Sequence, residues 1–313
     1  DVASFLVAQL FEGLLEVDEA SGIVPALAAR WDVSPDGRRY TFTLRKGRRW
    51  SDGQPLAAGD FDYAWKRNLS LGPQSPAALL LNNLENAGQV AAGELDATQL
   101  GVKALDDHTL EVRLSAPASY FPLVLTHPVT YPLPRWVVEG DRQPWTEAAN
   151  LVGNGPYRLA QWAAGEGMGL GWNPHYRGLA RGNVGRVEAP VIDGYAAQLK
   201  AFDQGSLDGI SLIMADPGTV GQLRASYRRE FRLTPALSTV YLGFRMDRPP
   251  FDDPRVRMAF VQAIDRKVLL EQTGSAHYQP ALGGFLPPGM PGHSPAVGIG
   301  FDEEAARRSL AQA

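Results

Sequence analysis

The residues best suited to chemistry in this 313-residue chain are dispersed. Histidines stand at 108, 127, 175, 277 and 293, without the close spacing that puts two imidazoles on one metal ion. His108 falls in a hairpin turn and His175 follows Asn173-Pro174, both surface-loop settings. Cysteine is absent, which excludes disulfides, thiol nucleophiles and thiolate metal sites but leaves the compartment open. The sequence holds no G-x-x-x-x-G-K-S/T phosphate loop, no G-x-S-x-G elbow and no H-E-x-x-H helix. Gly165, Gly167, Gly169 and Gly171 lack dinucleotide-loop spacing and read as a flexible hairpin turn. A catalytic triad would have to be assembled from distant residues. These patterns point away from an enzyme, and they imply no metal and no cofactor.

Binding is the other chemistry to weigh. The chain carries 7 Trp, 10 Tyr and 12 Phe, residue types that wall ligand pockets but more often fill cores. Trp31, Phe42, Trp50, Trp65 and Trp162 are read as core. A net charge of −4 argues against a polyanion surface, so no nucleic-acid partner is expected. Arg45, Lys46, Arg48 and Arg49 follow an alternating strand and read as a solvated rim. The longest apolar run, Ala77 to Leu81, is far short of the ~20 residues that cross a bilayer. Asp1 opens directly into a structured-looking segment with no basic leader, so the chain reads as processed or as part of something longer.

The elements that would position any site alternate between strand and helix patterns. Val2 to Leu15 reads as a helix running into a turn, and Pro25 to Trp31 as a short helical turn started by proline. Ser34-Pro35-Asp36-Gly37 is a turn, followed by alternation of Tyr40, Phe42 and Leu44 that predicts a half-buried strand. After the Ser51–Pro55 turn, Asp60 is placed as cap of a helix with Phe61, Ala64 and Trp65 on one face. Val102–Leu105 and Leu110–Leu114 flank Asp106-Asp107-His108 as a hairpin. Prolines 117, 122, 128, 132 and 134 forbid one long helix there and suggest a boundary between lobes. Tyr157–Leu159 and Val187–Ile192 read as strands, Tyr195–Phe202 as a helix capped by Gly205, and Gly209–Ile213 as a second strand. That order predicts a parallel pair with a right-handed crossover. Asp253-Pro254 starts a helix with Val256, Phe260, Ala263 and Ile264 buried, and Phe301–Ala313 is a last amphipathic helix.

Several of these segments, in order, carry a resemblance. Leu10-Phe11-Glu12-Gly13-Leu14-Leu15, Pro25-Ala26-Leu27-Ala28, Trp31, Asp36-Gly37, Tyr40–Arg45, Trp50-Ser51-Asp52-Gly53 and Asp60-Phe61 open it. Asn154-Gly155-Pro156-Tyr157, Asn173–Tyr176, Pro250–Arg257 and Ala263–Arg266 continue it. Together they resemble the family 5 extracellular solute-binding proteins, and Leu100–Leu110 is similar to the oligopeptide-binding branch. The resemblance implies an α/β fold of the type II periplasmic-binding-protein kind, multi-lobed, with an accessory α+β lobe and a second main lobe only begun. It places residues 1–11 and 136–237 in the main lobe and 12–135 in the accessory lobe. Residues 238–313 would form the hinge and the start of the opposite lobe.

What the family does is implied likewise: an oligopeptide held in an interlobe cleft by main-chain hydrogen bonds, then delivered to the permease subunits of an ABC importer. The receptor would be monomeric, on the periplasmic or extracellular face, touching the membrane only through the transporter. Of the positions that match ligand contacts, Tyr241 on a strand Thr239–Phe244 corresponds to a cleft aromatic, with sheet packing as its competing role. Ser211 and Leu212 match a ligand-touching loop; Ala77 and Gly243 stand where relatives can carry a tyrosine and an acidic residue. Relatives have sequence on both sides of this chain, so by itself it would bind peptide weakly. Other readings are a ligand-sensing module of a regulatory or signalling protein, a hydrolase with a dispersed site, and a receptor for dipeptides, nickel complexes or sugars.

Overall fold

A computed structural model describes residues 2–18, 22–141, 144–178, 182–211, 217–234, 237–272, 278–290 and 292–313. The chain divides at Gly194 into two units, 1–194 and 195–313.

In the first unit, α1 (Val2–Leu10) is the helix of the expected helix-then-turn stretch, and the turn region begins at Phe11. The end of α1 is taken over by tertiary partners: the Gly155 amide donates to the Leu10 carbonyl at 2.9 Å, and Gly13 lies flush against the Tyr131 ring. The chain then enters β1 (Leu15–Val17), paired antiparallel with β2 (Ile23–Pro25). The helical turn expected over Pro25–Trp31 is instead the end of β2 and the start of β3 (Ala28–Val33). There, Ala26 and Ala28 amides donate to Leu14 O, and Arg30 to Val33 pair with β4 (Arg39–Leu44). Inter-strand partners outweigh the local helix preference of three alanines.

The alternation at Tyr40, Phe42 and Leu44 forms β4 as expected, with those three side chains buried. Next come α2 (Ala58–Ser70), α3 (Pro76–Leu80) and α4 (Ala87–Ala91), then the hairpin β5 (Val102–Asp106) and β6 (Thr109–Arg113). The sheet order is β3-β4-β6-β5, all antiparallel, with Phe42 opposite Trp31 on one side and Leu110 on the other. Helix α2 lays Phe61, Ala64, Trp65 and Leu69 into the core that also holds Trp50 and Phe121. Asp60 sits at the third helical position, not at the cap: its Oδ2 reaches back to accept from the Ala57 amide (2.9 Å) and the Trp50 indole (3.0 Å). The proline-rich stretch forms only short pieces, α5 (Phe121–Val124) and α6 (Arg135–Val138).

A second sheet, β7 (Tyr157–Ala163), β8 (Gly167–Trp172) and β9 (Arg186–Pro190), is antiparallel throughout. Gly165 makes the turn at φ +80°, whereas Gly167, Gly169 and Gly171 belong to β8. A β-carbon on Gly167 would lie 2.5 Å from the Ala189 carbonyl oxygen, so the run serves close strand approach as well as a turn. Because β9 pairs antiparallel with β8, and residues 209–211 are in no strand, the expected parallel pair is not formed among the described residues. Of the five aromatics read as core, Phe42, Trp50 and Trp65 are fully buried, Trp31 is half-buried and Trp162 is exposed on an outer strand face.

In the second unit, α7 (Tyr195–Asp203) and α8 (Pro217–Ser226) are tied by Tyr195 and Thr219 hydroxyls at 2.7 Å. Gly205 ends α7 at φ +71°. Asp253 caps α9 (Pro254–Ala263) by accepting from the Arg255 amide at 2.7 Å. Helix α10 (Arg266–Gln272) follows, and α11 (Glu303–Ala311) returns to pack on α9. Val256 and Ala259 are the buried residues of α9; Phe260 faces outward into a ring cluster with Phe244 and Phe251, so the buried stripe is shifted from the expected one. Leu237 to Arg245, expected to include a strand at Thr239–Phe244, forms none, because no described strand lies alongside to pair with it.

Candidate functional site

Tyr241 is exposed, its ring meeting Phe285 edge-on at 5.1 Å, and Thr239 Oγ1 donates to the Phe285 carbonyl at 2.8 Å. Val240 and Leu242 beside it are more exposed still. Gly243 lies two residues on in the same stretch, with open space where a side chain would stand. No backbone hydrogen bond ties this stretch to another described residue. Ser211 is exposed in an irregular segment and shares no hydrogen bond with the Tyr241 stretch among the described residues. Leu212 lies outside the described residues. Ala77 is buried in α3 within the core of the first unit. The structure thus brings Tyr241 and Gly243 together in one segment.

A second constellation was not legible as a site in the sequence. Glu12 follows α1 and is 8% exposed. Asn154 brackets its backbone: Oδ1 accepts from the Glu12 amide at 3.0 Å and Nδ2 donates to the Glu12 carbonyl at 2.9 Å. Asn173 holds the same loop from behind by donating to the Gly155 carbonyl at 2.9 Å. The carboxylate is not so provided for, since its Oε2 has no hydrogen-bond partner among the described residues. Burial pushes the Glu12 carboxyl up to about 7, against the opposing pull of Arg48. Arg48 is itself buried, not on a solvated rim, and its Nη1 also lacks a partner among the described residues. The two charges attract across a gap without closing a salt bridge.

Glu12 lines a cavity of about 290 Å³ together with Glu16, Tyr131, Tyr176, Phe11 and Leu15. Glu16 is also raised by burial, opposed by Arg45. The Tyr131 hydroxyl is raised by burial, then by Glu12 and Glu16. The one sequence signal was an acid set in the apolar run Leu10 to Leu15, which marks a helix end equally well.

The chain has the α/β fold of the type II periplasmic-binding-protein class, the fold of the solved structures it resembles. A model of the bacterial extracellular solute-binding proteins, family 5 (Middle), matches residues 22–313, and the chain belongs to that family. It is 36% identical over 282 residues to the periplasmic oligopeptide-binding protein OppA of Escherichia coli K12, covering 89% of this chain and 51% of that protein. The probable deoxycholate-binding periplasmic protein YgiS of the same organism is 35% identical over 274 residues, covering 87% and 51%. Among solved structures, the Escherichia coli murein tripeptide binding protein MppA superposes with a TM-score of 0.80 at 30% identity, covering 100% of this chain and 62% of that one. Haemophilus influenzae OppA in complex with RPPGFSPFR gives 0.76 at 28% identity, covering 99% and 62%. The chain spans about half the length of the curated relatives it matches.

Proposed function

We propose that this chain belongs to an extracytoplasmic receptor that captures oligopeptides and hands them to an ABC importer. The observation that carries the reading is the backbone of the Leu237–Arg245 stretch, unpaired among the described residues, with Tyr241 exposed on it. A row of N–H and C=O groups unpaired among the described residues suits main-chain recognition of a peptide, which gives affinity with little demand on side-chain type. Similarity to oligopeptide-binding and murein-tripeptide-binding relatives supports the same ligand class. Tyr241 is the contact we assign to ligand, with Ser211 and Leu212 as further contacts. Ala77 and Gly243 mark places where a bulkier or acidic contact is not available from this chain. In this reading residues 1–11 and 136–237 belong to the main lobe, 12–135 to the accessory lobe, and 238–313 to the hinge and the opposite lobe. The receptor works outside the cytoplasm as a monomer and performs no chemistry on its ligand.

Similarity to the deoxycholate-binding relative favours a second ligand, an amphipathic steroid acid. One experiment separates them: mass spectrometry of small molecules that co-purify with the protein. Short peptides of mixed sequence are expected. A single steroid acid in their place overturns the peptide assignment.

A further inference from the structure

The carboxylate of Glu12 has no role in the peptide reading and is poorly accommodated by the fold. An acid 8% exposed, with an oxygen that no described residue donates to, is normally paired or solvated. Its surroundings have the chemistry of a receptor for a positive charge. The cavity it lines has a second carboxylate at Glu16, aromatic walls at Tyr131 and Tyr176, and apolar walls at Phe11 and Leu15. We propose that this cavity binds a protonated primary amine on a short apolar stem, with Glu12 and Glu16 as counter-charges and the tyrosine rings flanking the cation. This site is independent of the peptide-contact stretch, and its fate does not depend on that assignment.

Two features make the site selective. The stem fits the mixed apolar and aromatic wall, and about 290 Å³ admits a small organic cation. The charge is met by a buried carboxylate, where electrostatic attraction is less screened than at the surface. Arg48 and Arg45 are the competing cations. Arg48 is not among the cavity walls, and Arg45 is engaged by donating to the Ala26 carbonyl at 2.8 Å. The other titratable groups facing Glu12 are Glu16 and Tyr131.

Glu12 titrating at about 7 gives binding a proton signature. Near pH 7 the amine must displace the Glu12 proton, so binding releases protons. Apparent affinity should rise about tenfold from pH 6 to pH 8, as the ionised fraction of Glu12 grows. The test is isothermal calorimetry of the 313-residue chain with n-butylammonium chloride at pH 7, run in two buffers of different ionisation enthalpy, beside 1-butanol as a neutral match. Expected are saturable one-site binding of the ammonium, a buffer-dependent enthalpy, and no saturation by butanol. Glu12→Gln should weaken binding at least about tenfold, the value of a charge-assisted hydrogen bond, while a thermal melt shows the variant folded. Glu16→Gln should weaken it less and leave the proton release in place. Absence of saturation, equal binding by Glu12→Gln, or equal binding of butanol would overturn the proposal.

Discussion

Glu12 shows how one residue can cost stability that a fold carries for another purpose. Its folded-state value lies near 7 against 4.5 in the unfolded chain, so the folded state holds the proton more tightly. Below about pH 4.5 the residue is neutral in both states. As pH climbs toward 7 the unfolded chain binds fewer protons than the folded one, and stability falls. The loss is on the order of 3 kcal/mol once Glu12 is ionised in the fold. Urea titrations should therefore show the wild type weakening between pH 4.5 and 7, and Glu12→Gln losing distinctly less across that window, the remainder coming from Glu16, which burial also raises. A parallel decline in the variant would mean that another group carries the linkage. Asn154 acts at the same spot with opposite sign. Asn154→Ala strands the buried Glu12 amide and carbonyl, and should cost about 2–3 kcal/mol in the same assay. A loss under half a kcal/mol would mean water or a neighbouring group replaces it.

At the scale of elements, the junction of α1 with the second sheet depends on close backbone approach. A β-carbon on Gly155 would lie 2.6 Å from Leu10 C and Phe11 N, where only main-chain atoms could move. Gly155→Ala should displace the end of α1 and destabilise the first unit by more than about 2 kcal/mol. Gly88 in α4 is the contrast, since nothing lies within 4 Å of the place a β-carbon would take there. At that position alanine should be neutral or stabilising by up to about 1 kcal/mol, through helix propensity and a less flexible unfolded chain. Chemical denaturation of both variants checks the pair, and equal losses would show that backbone crowding is not what holds the junction. These elements also mark how far the sequence could be read. Strand β4, the β5–β6 hairpin and the start of α9 are legible because period, turn residues and cap all agree locally. Strands β2 and β3 are not, because Ala28 is strand only by virtue of its partner Leu44, and Ala26 joins the two strands by donating to Leu14.

For the molecule as a whole, the two units are unequally built. The first gathers Phe42, Trp50, Phe61, Trp65 and Phe121 into one continuous core. The second buries few large side chains and leaves Val240, Leu242, Met246 and Phe285 exposed. Amide protection follows buried contact and hydrogen bonding, so exchange should be uneven. Hydrogen exchange followed by mass spectrometry should label peptides from 195–313 well before those from β4, α2 and β6. Uniform protection along the chain would contradict it. The Leu237–Arg245 stretch should label first and slow on peptide addition, which ties the same measurement to the proposed function.

By itself the sequence determined the family and most element types. Ordered turns, caps and alternating runs are short-range signals, and they survive in the residues whatever the chain later packs against. Only the tertiary structure decided where Glu12 and Arg48 sit, that Asp60 serves Trp50 as well as its own helix, and that Tyr241 stands exposed on a strip no described strand pairs with. Burial and pairing are sums over neighbours distant in the chain. A charge in an apolar run or an aromatic in a strand-like one carries no mark of which neighbours it will meet.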